Sequence, residues 1–333
     1  MRHELPSPHP TVLKRAESLP LSFWQHLGDP LADLLCTIYP VATADTLQAL
    51  ICYEASQGQP LCQQFLAQGE LQPTHWQDAR YQPALQAWLQ FAQQQSLQVR
   101  WAWQLGVGLR CLSQTRWQAV WSVQGITEFL RGLDELLLAP TLPATGELQR
   151  LRLQWALWRL QAEESNGFSP INGVACAQTD IAGLLHDIAE ILPASCAALG
   201  APLSGLQHQG LRHWCAGLMQ KLGLEAHLVA NTPDEALALH AVLSGPADAA
   251  AGTAVMAWLD AIAARDPLPA ARRRLHALCR SVLPDEAADA LGIDNDRLAS
   301  LWQRAGSWVR KRSSSLGSGA SGWQQLQHHL LAR

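Results

Sequence analysis

Gly183-Leu184-Leu185-His186-Asp187-Ile188-Ala189-Glu190-Ile191-Leu192 is the stretch on which the fold turns. Ile181, Leu184, Leu185, Ile188, Ile191 and Leu192 recur at i, i+3, i+4, i+7, i+10 and i+11, which lays one apolar stripe along an α-helix. Thr179 or Asp180 is a good N-cap, because a short oxygen-bearing side chain accepts one of the amide protons a helix start leaves unpaired. Pro193 lacks an amide proton, and in this reading it ends the helix. The spacing thus predicts a helix over 179–192. Asp187 borders its buried face and His186 sits one position round. A carboxylate suits hard ions and an imidazole suits transition metals, so the pair is the start of a divalent-metal site.

The same periodicity runs through most of the chain. Apolar residues make up 48% and charged residues 16% of 333 residues, enough apolar surface for a sizeable core and too little charge for disorder. Leu, Ala and Gln dominate and β-branched residues are sparse, so the fold class expected is all-α. Helices are expected at 30–38, 43–56, 59–67, 83–96, 101–112, 115–131 and 146–163, and then at 179–192, 207–222, 233–243, 248–264, 267–282, 284–291 and 294–310.

The breaks between them suggest an organisation. Residues 1–20 hold four Pro and no clear period, and are expected to be an extended arm. Residues 21–165 form a Trp-rich helical region, expected as a first lobe. Trp101, Trp103, Trp117, Trp121, Trp155 and Trp158 recur at near-helical spacing and are expected in the core. Asn166-Gly167 and Ser169-Pro170 mark a boundary, and 166–310 is the second helical unit. Residues 311–322 are Ser/Gly-rich and expected as a flexible linker, and 323–333 as a short helix.

Composition also bounds location and partners. A net charge of −4 gives no argument for a nucleic-acid or membrane-surface protein. The start of the chain is polar and Pro-broken, with no secretory pattern, and no stretch reaches about 18 uncharged apolar residues. The eight Cys are scattered without C-x-x-C pairs, as buried reduced thiols of a cytoplasmic protein would be.

Gly183-Leu184-Leu185-His186-Asp187-Ile188 resembles the central motif of the HD superfamily, and most closely that of the HDOD domain (HD-related output domain), a helical bacterial signalling module. The likeness continues in order. Leu157-Trp158-Arg159 resembles the Leu-Trp-Arg ahead of that family's first ligand His. Met219 to Val229 resembles its later helix and turn. Val255 to Ala261 resembles its last metal-side helix, with Asp260 at the acidic position, and Ala290-Leu291-Gly292-Ile293 its closing turn. The resemblance covers about 150–310 and implies an HD/HDOD-like helical bundle with an additional N-terminal helical region.

The departures shape the functional expectation. Leu160 stands where the first His belongs, and Leu211 near the next, with His208 and His213 out of register. Ala230-Asn231-Thr232 replaces the paired His, and Ala189-Glu190 the usual Gly-Lys. His186, Asp187 and Asp260 remain as vestigial metal candidates. Three ligands without supporting partners hold a catalytic metal poorly. The resemblance therefore implies a regulatory or scaffolding protein that is not an enzyme, uses no cofactor and binds a protein partner. Two alternatives stand beside it. One is a DNA-binding regulator using a helix-turn-helix-like segment at 284–312, although Asp294 and Asp296 would meet phosphate with the wrong charge. The other is a metal-dependent HD phosphohydrolase. Arg272-Arg273-Arg274 is expected as a solvated helix face.

Overall fold

The computed structural model describes residues 7–70, 74–112, 145–164, 173–243, 251–264, 271–283, 285–296 and 301. The fold is all-α, with no strand among the described residues. The helices are α1 (Pro10–Glu17), α2 (Leu21–Trp24), α3 (Pro30–Ile38), α4 (Ala44–Ser56), α5 (Pro60–Glu70), α6 (Thr74–Gln77), α7 (Gln82–Gln94), α8 (Ser96–Ala102) and α9 (Gly108–Leu112). After them come α10 (Thr145–Glu164), α11 (Gln178–Ala198), α12 (Gly205–Lys221), α13 (Pro233–Leu243), α14 (Gly252–Ala263), α15 (Ala271–Val282) and α16 (Asp285–Ala290).

Four of these helices open on proline, at Pro10, Pro30, Pro60 and Pro233. The first turn needs no amide donor there, and the ring presets the helical φ. Asp29 caps α3 by accepting from the Ala32 amide at 3.1 Å, and Ser204 and Gln207 form a reciprocal capping box on α12. Asp180 acts on α11 from its third position, where its carboxylate accepts from the Ala177 amide at 3.0 Å.

The helix predicted from the quoted stretch is the centre of the molecule. α11 packs against α2, α8, α12, α13, α15 and the π-helical turn Trp103–Val107. By length and composition it is apolar enough to cross a membrane, yet 72% of that stretch is buried inside the bundle. Its end differs from expectation. Pro193 lies inside the helix, which runs on to Ala198. The carbonyl that proline leaves without a helical donor is that of Ala189, and His208 Nε2 donates to it at 3.0 Å.

Two further expectations are corrected. Residues 10–17 are not an extended arm: Val12, Leu13 and Ala16 give α1 an apolar face that packs on Ala238 and Leu239 of α13. The break at 166 does not separate two cores. Trp24, Trp88, Trp103 and Trp155 share one core with Leu185, Trp214 and Trp258. A second, smaller core joins α3, α4 and α5 to α10 through Leu35, Leu47, Ile51, Phe65 and Leu153. The helix expected at 101–112 is interrupted by the π turn, whose Gly106 lies against Ser195 of α11. Trp103 and Trp155 are buried as expected, whereas Trp117, Trp121, the helix at 115–131, the linker and the C-terminal helix lie outside the described residues.

Among the described helices, α7 and α12 run against each other more extensively than any other pair. Gly210 makes this possible, because a Cβ there would meet the carbonyl of Ala84. Seven residues on, Gly217 lies flat against the Trp76 indole, which stacks on Trp214 with centroids 5.2 Å apart.

Candidate functional site

One turn of α11 carries His186, Asp187 and Glu190, which are 2%, 3% and 1% exposed. Ionisable groups at that depth are costly unless each finds a partner. Each partner here comes from a different element. His186 Nε2 donates to the Leu228 carbonyl at 3.0 Å, in the 3₁₀ turn Ala226–Leu228. Asp187 Oδ1 meets His240 Nδ1 of α13 at 2.9 Å. Glu190 takes both prongs of the Arg212 guanidinium of α12, each at 2.8 Å, and lies 3.7 Å from His208 Nε2.

The electrostatics follow from that geometry. Burial pushes the His186 imidazole down to about 4, against a weaker upward pull from the Leu228 carbonyl and Glu190, so the ring is neutral near pH 7. A carbonyl only accepts, so the single proton sits on Nε2 and Nδ1 keeps its lone pair. Burial alone would raise Glu190, but the nearby His208 ring and the hydrogen bonds from Arg212 outweigh it and hold the carboxyl at about 2.

His186 lines a cavity of about 190 Å³ between α11, α12 and the turn ahead of α13. Ala189, Ala216, Met219, Ala230, Pro233 and Ala236 give it an apolar wall, beside which Gln209 and Arg212 also stand. Tyr81 and His213, stacked with ring centroids 3.6 Å apart, close one side, and Asn231 and Thr232 line the cavity as well. Cys215 also lines it, but burial pushes its thiol well above the ordinary range, which removes it as a thiolate nucleophile. The arrangement suits an apolar guest met by a few fixed polar groups. A neutral imidazole with a bare nitrogen there can take a proton or ligate a metal or prosthetic group.

The vestigial metal set does not assemble. Asp260 is half-exposed on α14 and faces Arg272 at 3.3 Å, whereas Asp187 is turned to His240. Among the described residues no group of three or more His, Cys, Asp or Glu stands close enough to hold a metal. Arg272 and Arg273 are exposed on their helix, as the solvated-face expectation has it, with Arg272 beside Asp260 and Arg273 3.9 Å from Asp296. In the helix-turn-helix-like segment, α16 and the Gly292 turn are present, but Ile293 is buried and Arg280 is tied to its carbonyl and to Asp289. Most of its second helix lies outside the described residues.

Sequence reasoning missed His240 and Arg212. One signal for Arg212 was in view: a glutamate three residues after Asp187 on an apolar helix demands a cation.

Fold and site together define an all-α bundle wrapped on a central helix, with a small apolar cavity on that helix's polar turn. No family model and no curated protein matches the chain. Among solved structures it is similar to latex clearing protein (LCP) in the closed state, with a TM-score of 0.68 at 18% identity over 86% of this chain and 84% of that one. At that identity the likeness shows the fold. It does not bear on the HDOD resemblance. It does overturn the expectation of a chain that is not an enzyme, since latex clearing protein is an enzyme. The physical reason is that the missing HD ligands argue only against HD chemistry; a helical frame hosts catalysis wherever a site is built into it.

Proposed function

We propose that this chain is an enzyme acting on an apolar substrate, or an apolar segment of a larger one, in the cavity beside His186. One observation carries the reading: a fully buried, neutral imidazole, held in one tautomer by the Leu228 carbonyl, on the wall of a cavity that is otherwise mostly apolar. Its Nδ1 serves as general base or as the ligand of a bound group. Tyr81, His213 and Asn231 orient the substrate, and Asp187–His240 and Glu190–Arg212 keep α11 fixed beneath it. The fold likeness to a protein named for clearing latex supports an apolar substrate class. The free thiols, six of the seven described ones buried, fit a reducing cytoplasm. Incubating the purified full chain with latex and with short apolar chains, and following their loss by chromatography, tests this. Consumption by the wild type that falls at least 100-fold in folded His186→Gln supports it; no consumption, or consumption indifferent to His186, overturns it.

A second reading keeps a protein partner, as the HDOD resemblance implies. Leu34 and Ile38, one turn apart on α3, are 46% and 49% exposed, an apolar step that a partner helix would cover. Crosslinking to a specific protein that Ile38→Asp abolishes would support it, and unchanged crosslinking would dismiss it.

A further inference from the structure

A cavity of about 570 Å³ walled by α3, α10 and α12 is braced by its own ion pairs, Asp29 with Arg152 and Asp33 with Arg159. The cavity beside His186 is bounded differently. Asn231, Thr232 and Pro233, the turn leading into α13, line it and are at the same time exposed, and Ala236 of α13 continues that wall. This segment therefore stands between one side of the cavity and solvent. It moves as a unit, because Glu235 accepts from the Asn231 amide at 2.8 Å and Thr232 Oγ1 accepts from the Glu235 amide at 3.2 Å. The chain just ahead of it is pinned: His227 stacks on Trp24 with centroids 6.1 Å apart, and the Leu228 carbonyl holds His186.

Two sets of contacts hold the segment down. On one side it meets α11, where His240 pairs with Asp187 at 2.9 Å and Leu243 lies over Gly183. On the other it is covered by α1. Val12, Leu13 and Ala16 pack on Ala238 and Leu239, and Ala230, which lines the cavity, belongs to the same apolar cluster. Among the described helices, α13 is the one against which α1 packs closely.

The connections of α1 make it a strap. Past its end, Leu19 packs against both this cluster and the main core, and Trp24 is buried in the main core. With α1 anchored there, swinging α13 away from α11 also means parting it from Val12, Leu13 and Ala16. An eight-residue helix is too short to persist alone in water, so α1 keeps its form by lying on α13. So small a contact opens far more readily than the whole bundle.

We propose that α13 with its leading turn is the lid of the His186 cavity, and that α1 is the strap holding it shut, so that release of α1 admits substrate. The purpose of the lid rests on the reading of that cavity as the working site; its opening is measurable without turnover.

Cys215 lines the cavity and is 1% exposed, Cys196 and Cys279 are as deeply buried elsewhere in the bundle, and burial raises all three thiols. Full-length protein is treated with methyl methanethiosulfonate under native conditions, and each cysteine is followed by peptide mass spectrometry. Leu13→Asp should speed labelling of Cys215 at least about tenfold and leave Cys196 and Cys279 at their wild-type rates. Lys14→Glu, on the exposed side of α1, should change none of them. If Leu13→Asp does not fold, Val12→Ser, a milder loss on the same face, decides in its place. An unchanged Cys215 rate in the folded variant, an equal rise at all three cysteines, or a rise as large in Lys14→Glu would each overturn the proposal. None of these rates depends on turnover, so the lid and the enzyme reading fail separately.

Discussion

His208 supplies the proton that Pro193 cannot: its Nε2 donates at 3.0 Å to the carbonyl of Ala189, four residues before the proline. A proline that reads locally as a helix stop is thereby carried inside a 21-residue helix. The same ring lies beside Glu190, so one imidazole steadies both the broken backbone ladder and the buried carboxylate.

This coupling is measurable. His208→Ala is expected to cost about 1–2 kcal/mol, the net worth of a hydrogen bond together with a carbonyl left unpaired. In a Pro193→Ala background, residue 193 has its own amide for Ala189, and the cost of losing His208 should shrink by about half. Chemical denaturation of the four proteins closes the cycle. Strict additivity would show that the two residues do not share the carbonyl.

The Glu190 ion pair predicts an acid-side instability. The folded carboxyl titrates at about 2, below its ordinary 4.5, so the unfolded chain binds the proton more readily in between. Stability from this group is therefore present above pH 4.5 and lost as pH falls toward 2, on the order of 3 kcal/mol across the window. Thermal melts of wild type and Glu190→Gln should converge over that range. At neutral pH the variant should be less stable by about 3 kcal/mol, since it leaves the partly buried Arg212 without its counter-charge.

His186 predicts a second slope at milder pH. Its folded ring titrates at about 4 against an ordinary 6.5, so between these values the unfolded chain holds a proton the folded one lacks. Stability then rises with pH through that window, by on the order of 3 kcal/mol. His186→Gln should flatten the pH dependence of the melting temperature there. A residual slope of the same sign is expected from His276, which burial also holds below its ordinary value. An unchanged slope in His186→Gln would mean that the folded ring takes up its proton as readily as the unfolded one.

Two glycines of α12 should respond differently to one methyl group. At Gly210 the added Cβ meets backbone, the Ala84 carbonyl, which moves only if α7 moves. Gly210→Ala should cost about 3 kcal/mol, at the upper end of overpacking. At Gly217 the obstacle is the Trp76 indole, a side chain that can tilt. Gly217→Ala should cost about 1–2 kcal/mol and change the near-UV dichroism of the Trp76–Trp214 stack, which Gly210→Ala should disturb less.

Much of the helical layout was open to sequence reasoning. The segments expected at 30–38 and 233–243 are α3 and α13; that at 43–56 differs from α4 by one residue at its start, and that at 146–163 from α10 by one residue at each end. Helices follow from periodicity and caps within a few residues, which a local window contains. Residues 10–17 were misjudged because proline count hid an amphipathic turn that Pro10 in fact starts. The metal expectation joined Asp260 to His186 and Asp187 by order along the chain, and order does not fix which way a helix faces.

By itself the sequence determined an all-α chain organised on one buried helix, with His186 and Asp187 on it, because a 3.6-residue apolar period leaves a helix no other place to sit. Only the tertiary structure decided what those residues meet. Asp187 meets His240 of α13, Glu190 meets Arg212 of α12, and Asp29 meets Arg152, 123 positions away. A buried charge requires a counter-charge, but nothing local specifies which one. That choice belongs to how the helices pack, and with it the shapes of both cavities.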